Sequence, residues 1–407
     1  MLPIGVVGRL LAARTLREIA FGTMAVVLPF YWQQKGLSLS AIGMLFTLAL
    51  LGSATLAVLL GRYLDRIGRR LVLLVASVLW VVTTPLLFFG HLGVLAIVAL
   101  LGSLSPNGKE VGPFLAVEQA ALARLYGGQT RVRAYAWFNL VGYTATAVGA
   151  VLAGSLGLVA DGSGAVWPFH LAIVGYGMIG LVQVVLYARL PSTIETSVQE
   201  TEARDRPITA HIPSLHVRRQ VHTLSGLFTL DALGAGFIVQ GLLVTWFHIR
   251  FGMNLVQLGG IFFATNLLSG LSSLGAARLA KRFGLLNTMV FTHLPSNLLL
   301  AIVPLMPTAW MAITVLLFRH LLSQMDVPTR QAYTMAMVSP DDHAYMASWT
   351  NGVRHYGTAV APLVSGALMA LPSSGLPFFI AGGLKVVYDL TLYGIFRRIP
   401  ITHGDER

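Results

Sequence analysis

Gly61-Arg62-Tyr63-Leu64-Asp65-Arg66-Ile67-Gly68-Arg69-Arg70 separates two long apolar runs, residues 40–60 and 71–89. Each run is long enough to cross a bilayer, which takes about 20 helical residues. The stretch between them carries four arginines and one aspartate, more charge than chain embedded in lipid tolerates. It is expected to be a tight loop joining two spans, and short loops this basic stay on the cytoplasmic side.

The composition fits that reading. The chain has 407 residues, 55% of them hydrophobic and 11% charged, with a mean hydropathy of +0.73. A soluble domain carries about 25% charged residues, so this is an integral membrane protein with room for roughly twelve spans. The net charge of +12 follows the inner loops, so topology accounts for it and no nucleic-acid partner is expected. There is no cysteine, which excludes disulfides, thiolate metal sites and cysteine nucleophiles. No metalloprotease, P-loop or nucleotide fingerprint occurs, so catalytic residues, a metal, a cofactor and ATP drive are not expected. Residues 1–13 lack a small-residue cleavage site, and no removable signal peptide is expected.

The pattern Gly61-x-x-x-Asp65-Arg66-x-Gly68-Arg69-Arg70 resembles the loop signature of the major facilitator superfamily, found there between transmembrane helices 2 and 3; Tyr63 stands where that family carries an aliphatic residue. The resemblance implies an all-α membrane protein with twelve transmembrane helices in two parallel, pseudo-symmetric six-helix bundles. It implies a substrate site near the bilayer midplane, reached by alternating access. Gly61, Asp65, Arg66, Gly68, Arg69 and Arg70 would then form a conformational gate. Span 5 keeps Gly149 and Gly154 but lacks the proline of the family's antiporter element, and its glycines are expected to let helices approach closely.

Along the chain the expected spans are about 13–32, 40–60, 71–89, 92–124, 134–156 and 167–187, then 222–248, 255–274, 285–305, 308–338, 345–371 and 377–396. Span 4 is expected to break at Pro106-Asn107-Gly108-Lys109-Glu110, because proline and glycine at membrane depth need protein or water to satisfy the freed backbone. The polar stretch 191–220 reads as a cytoplasmic linker between an N-terminal bundle, 1–190, and a C-terminal bundle, 221–407. Basic residues gather on the inner segments, placing both termini in the cytoplasm and the protein in the cytoplasmic (inner) membrane.

The two halves repeat. Gly36 matches Gly252, Gly43 matches Gly259, Arg66 matches Arg282 and Gly68 matches Gly284, at one separation of 216 residues (252 − 36, 284 − 68). The same register pairs Glu110 with Asp326. Near spans 5 and 11 the separation becomes 212 (349 − 137), matching Trp137 with Trp349 and Asn139 with Asn351. A register held over many helices points to duplication of one unit.

An ionisable group inside a span costs roughly 2.5–3.5 kcal/mol on insertion scales, so such groups mark function. The resemblance makes spans 1, 4, 7, 10 and 11 line the cavity. The candidates for substrate binding and proton coupling are Glu110, Asp231, Asp326, Arg330 and Arg354, with Lys109 and Arg17 behind them. Glu110, at the expected break beside Lys109, suits a proton carrier. Asp231 stands alone in an otherwise uncharged run and needs a partner or a proton. Asp326 and Arg330 are four apart, share a helix face and can pair with each other. Arg354 suits a substrate carboxylate or phosphate, or else neutralises Asp231 or Asp326. Lys385 and Asp389 are expected to pair on a peripheral span 12, His293 and His320 to be core residues, and Arg14 to snorkel.

The resulting expectation is a secondary active transporter, a monomer, moving a small organic solute or drug outward in exchange with protons. Its partners would be the small-molecule substrate, protons and the lipid bilayer. Two alternatives stay open: proton-driven uptake of an organic anion clamped by Arg354 and Arg330, and a membrane sensor that keeps the fold without transporting.

Overall fold

The computed structural model describes residues 4–101, 103–109, 114–115, 117–118, 128–160, 166–191, 214–339, 342–371 and 375–398. The first helices are α1 (Ile4–Gln34), α2 (Leu39–Ile67), α3 (Arg69–Thr83), α4 (Leu92–Leu100), α5 (Gly128–Ala160) and α6 (Trp167–Ala188). They are followed by α7 (Leu215–Phe237), α8 (Gln240–Phe251), α9 (Leu255–Phe283) and α10 (Leu285–Ile302). The last are α11 (Ala309–Ser323), α12 (Asp326–Ala336), α13 (His343–Met369) and α14 (Leu376–Phe396). No strand occurs among the described residues.

The arginine-rich stretch is not a loop. α2 runs on through Gly61, Asp65 and Arg66 to Ile67, and only Gly68 separates it from α3. Gly68 has φ +95, a conformation open to a residue without a Cβ, so one residue stops the first helix and starts the second. The repeat recurs in the backbone: α2 and α9 are each 29 residues long and start and stop in the 216 register (255 − 39, 283 − 67). Gly284 has φ +82, the counterpart of Gly68, and Gly36 and Gly252 have φ +81 and +64.

Seven helices among the described residues are long and apolar enough to cross a membrane: α2, α3 with the 3-10 turn that carries it to Phe88, α5, α6, α9, α10 with the turn that carries it to Leu305, and α14. The expected spans for which no single helix meets this test are 1, 4, 7, 10 and 11, although α7 and α8 meet it together as a pair bent by 40°. Span 1 carries Arg14, Arg17 and Glu18 inside α1, and span 11 carries Arg354 and His355 inside α13. The other three are broken. α4 stops at Leu100, and Gly108 in the non-helical segment after it has φ +64. Span 7 is interrupted between α7 and α8, and span 10 between α11 and α12. These last two were expected to be continuous. Pro328 lacks the N–H that would bond back to residue 324, which accounts for the second interruption.

Packing divides the chain into two compact units, Met1–Arg206 with Val239–Leu267, and Pro207–Ile238 with Leu268–Arg407. Residues 239–267, expected in the C-terminal bundle, pack with the first unit. In that unit α1 lies directly against α5. A Cβ on Gly149 would run into the carbonyl of Ile19, and one on Gly154 would crowd Gly259 and the Val256 carbonyl at 3.3 Å, so the span 5 glycines do bring helices together; Gly22 of α1 answers with a close approach to the Thr146 carbonyl. One apolar cluster here includes Val6, Leu10, Leu73 and Val117. In the second unit α7 packs along α13 and α10 along α14, around Phe228, Met289, Tyr333 and Tyr388. Leu171, Val174, Met178, Leu181 and Val185 are exposed at helical spacing on α6, a face suited to lipid.

Candidate functional site

Asp231 on α7 is 2% exposed and sits at the centre of a charge network in the second unit. Its Oδ1 accepts a bond from Lys385 Nζ at 2.6 Å, and its Oδ2 one from Arg354 Nη1 at 2.8 Å. Arg330 Nη1 reaches the same Oδ2 at 3.4 Å while donating to Asp326 Oδ2 at 2.6 Å. His293 bridges two acids, with Nε2 3.7 Å from Asp231 Oδ1 and Nδ1 2.9 Å from Asp389 Oδ1. Asn297 Nδ2 donates to Asp389 Oδ2 at 2.9 Å. Residues of α7, α10, α12, α13 and α14 thus converge.

Small residues on α7 make this convergence possible. A Cβ on Gly234 would lie 2.9 Å from the aliphatic stem of Lys385, so glycine leaves the lysine its path to Asp231. A Cβ on Gly236 would strike the Thr358 carbonyl, and Ser365 Oγ donates to the Phe237 carbonyl at 2.7 Å. The break before α12 puts Asp326 in the first turn of that helix, where a carboxylate is favoured by the helix dipole.

The network is not charge-balanced. Its acids are Asp231, Asp326 and Asp389; its cations are Arg330, Arg354, Lys385 and, on α11, Arg319. Arg319 is 8% exposed, forms no ion pair among the described residues, and its Nε has no hydrogen-bond partner. Its Nη1 meets His320 Nε2 at 3.2 Å, and its charge feels those of Asp326 and Asp231. With every carboxylate ionised and His293 neutral, one positive charge is left over. Arg354 has the most accessible side chain, 24% exposed against 10% for Arg330 and 6% for Lys385.

The first unit holds a second cluster. Arg17 Nη2 lies 2.8 Å from Glu118 Oε2, and Arg17 Nη1 donates to Tyr187 Oη at 2.6 Å. Arg14 lies 3.4 Å from Glu18 and 3.9 Å from Glu118. Each guanidinium also covers a ring, Arg14 over Phe138 at 3.7 Å and Arg17 over Phe114 at 4.6 Å. Arg14, expected to snorkel, is instead buried, because two carboxylates and an aromatic face hold it.

Of the sequence candidates, Asp231, Asp326, Arg330 and Arg354 come together in one network, and Arg17 lies in the other cluster. Glu110 lies outside the described residues. Lys109 Nζ sits 4.6 Å from the Tyr143 ring centre, while its carbonyl accepts from Ser105 Oγ. Of the gate residues, Arg70 Nη2 donates to the Ala188 carbonyl at 2.6 Å and Arg69 is buried; the side chains of Asp65 and Arg66 lie outside the described residues. Lys385 and Asp389 do not pair as expected. The lysine turns to Asp231, and the aspartate to His293 and Asn297. Those residues, with Arg319, were missed as members of the site, although each is an ionisable or polar group in an apolar helix.

Long apolar helices with lipid-suited faces, broken spans and convergent buried charges define a multi-pass membrane transport protein. Residues 10–323 match the family described as Major Facilitator Superfamily, and the chain belongs to that family, whose members are transporters and not enzymes. It is 25% identical to the uncharacterized membrane protein YJR124C of Saccharomyces cerevisiae, over 94% of this chain and 92% of that protein. Its fold is similar to that of the nucleoside transporter NupG (TM-score 0.74, 15% identity, 97% of this chain and 100% of that one). It is also similar to a D-xylose-proton symporter (TM-score 0.72, 15% identity, 98% and 99%). A third is the human organic anion transporter MFSD10 (TM-score 0.63, 16% identity, 95% and 98%).

Proposed function

We propose that the protein is a monomeric, proton-coupled secondary transporter that exports a small organic solute across the cytoplasmic membrane by alternating access. The observation that carries this reading is Asp231, buried and shared by cations from three other helices. So many charges at membrane depth are costly, and a carboxylate among them can trade its cation partners for a proton. Asp231, Asp326, Arg330 and Arg354 form the binding and coupling centre. Glu110, in the repeat register of Asp326, is the second proton carrier, with Lys109 as a positioning residue; Arg17, sealed against Glu118 and Tyr187, holds helices together. The halves 1–190 and 221–407, joined by the 191–220 linker, exchange access. Asp65, Arg66, Arg69 and Arg70, on either side of Gly68, form ion pairs that exist in one state only and so bias the equilibrium. Both termini are cytoplasmic.

A proton-coupled neighbour of the same fold, the D-xylose-proton symporter, supports the coupling. The excess of cations around Asp231 and the organic anion neighbour favour a second reading, uptake of an organic anion. The test is flux of labelled solutes into and out of proteoliposomes under an imposed pH gradient. Glu110→Gln is expected to abolish gradient-driven flux while sparing solute exchange. Unchanged pH dependence removes Glu110 as carrier, and no flux for any solute overturns the transport reading.

A further inference from the structure

The Asp231 network, whose assignment as the binding site rests on the reading above, carries more positive charge than its acids neutralise. Four cations, Arg319, Arg330, Arg354 and Lys385, face three carboxylates. Asp231 alone is divided among three of the cations, and Asp389 is occupied by His293 and Asn297. Arg319 is left with a buried Nε that bonds to nothing. Asp326 and Asp231 act on it, yet no carboxylate among the described residues is its own, and buried positive charge in excess of its counterions is disfavoured. Burying a further lysine or arginine is not the economical way to stabilise a helix bundle, because an apolar residue of the same size does so at lower cost. The surplus is therefore explained by a negative charge that arrives from outside.

Geometry selects where it arrives. Arg354 keeps one Nη on Asp231 and is the most exposed of the four, so its remaining donors are available. Its planar fork matches a carboxylate or phosphate bidentately, which an ammonium does not. The buried Phe228 ring lies beside both Arg354 and Arg330, with ring-to-guanidinium distances of 5.9 and 5.7 Å, and helps to hold the two guanidinium groups on one side of Asp231.

We propose that the transported solute is an organic anion whose carboxylate or phosphate is taken by Arg354, in competition with Asp231, with Arg330, Lys385 and Arg319 supplying the attracting charge. Binding of the anion loosens Asp231 from its cations and frees that carboxylate to accept a proton. Substrate and proton are thereby linked through one acid.

The test is thermal unfolding of the full chain in detergent at constant ionic strength, using matched probes: benzoate against benzamide, phenyl phosphate against phenol, and benzylammonium as the cation. At least one anion is expected to raise Tm saturably beyond chloride, with half-saturation at least about tenfold below its neutral partner. The phosphate and carboxylate arms distinguish the two anion chemistries. Arg354→Gln is expected to remove the effect and Arg354→Lys to restore part of it. Asp231→Asn, which removes the competitor, is expected to enlarge it, so a destabilised variant remains informative. Equal stabilisation by the neutral or cationic probes overturns the proposal. So does no stabilisation beyond chloride by any anion, or an anion effect that survives in Arg354→Gln. Anion binding without flux keeps the anion site at Arg354 and overturns the transport reading on which it rests; gradient-driven flux of neutral solutes alone keeps transport and overturns the anion site.

Discussion

Two buried charge clusters, one in each compact unit, use the same residue types to opposite ends. In the first, Arg14 and Arg17 meet Glu18 and Glu118, two charges of each sign among the described residues, with both side chains of the Arg17–Glu118 pair at 0% exposure. Tyr187 closes the ring by donating to Glu118 Oε1 at 3.2 Å while accepting from Arg17. In the second, Asp231 serves three cations, a fourth cation has no ion pair among the described residues, and one arginine keeps about a quarter of its side chain exposed. A balanced, sealed cluster ties helices together. On the proposed reading, the overcharged and partly open one is the binding site. Both clusters are buried, so burial alone does not separate them; the leftover charge among the described residues does.

The largest effect is expected at Asp231. Asp231→Ala strands Arg354 and Lys385, while Arg330 keeps Asp326, and leaving buried charges uncompensated costs roughly 3–5 kcal/mol. Solute flux per folded molecule is expected to fall to background, measured in proteoliposomes alongside thermal unfolding. A milder break comes at Arg17. Arg17→Met alone should cost a similar roughly 3–5 kcal/mol, and Arg17→Met with Glu118→Met should regain most of it, since an apolar pair is a fair substitute for a sealed ion pair. The equivalent exchange in the second cluster, Asp231→Leu with Lys385→Met, is expected to regain little, because Arg354 loses the carboxylate it pairs with. Equal recovery in the two clusters would erase the distinction between them.

Smaller effects test the frame that carries both clusters. Gly149→Ala pushes a methyl group into the Ile19 carbonyl and is expected to cost about 1–3 kcal/mol. Gly68→Ala and Gly284→Ala each force a Cβ into positive φ, at roughly 1–2 kcal/mol. The repeat predicts similar losses of Tm for these two, and a large loss at one site alone would argue against equivalent roles.

Much of this was legible in the sequence. Ionisable residues in apolar runs announce themselves because lipid makes them expensive, so Asp231, Asp326, Arg330 and Arg354 were identified before any geometry. The repeat gave the 216 register, and Pro106 and Gly108 gave the break in span 4. Pairing was less legible. Lys385 and Asp389 satisfy the i,i+4 rule, yet a lysine stem is long enough to cross to α7, and Gly234 clears its way. That outcome depends on which faces of α7 and α14 meet, which spacing along one helix does not encode. The same holds for Arg14, whose aromatic cover comes from Phe138 on α5. The arginine stretch was read as a loop because charge was taken for irregular backbone. Its charges instead ride on helix ends that a single glycine separates.

The account is tested most directly by pH-gradient-driven flux of an organic anion in proteoliposomes, comparing the unaltered protein, Asp231→Asn, and Arg17→Met with Glu118→Met. It predicts flux in the unaltered protein, none in Asp231→Asn, and most of the flux retained when the sealed pair is made apolar. Flux that persists in Asp231→Asn, or is lost equally in both variants, would contradict it.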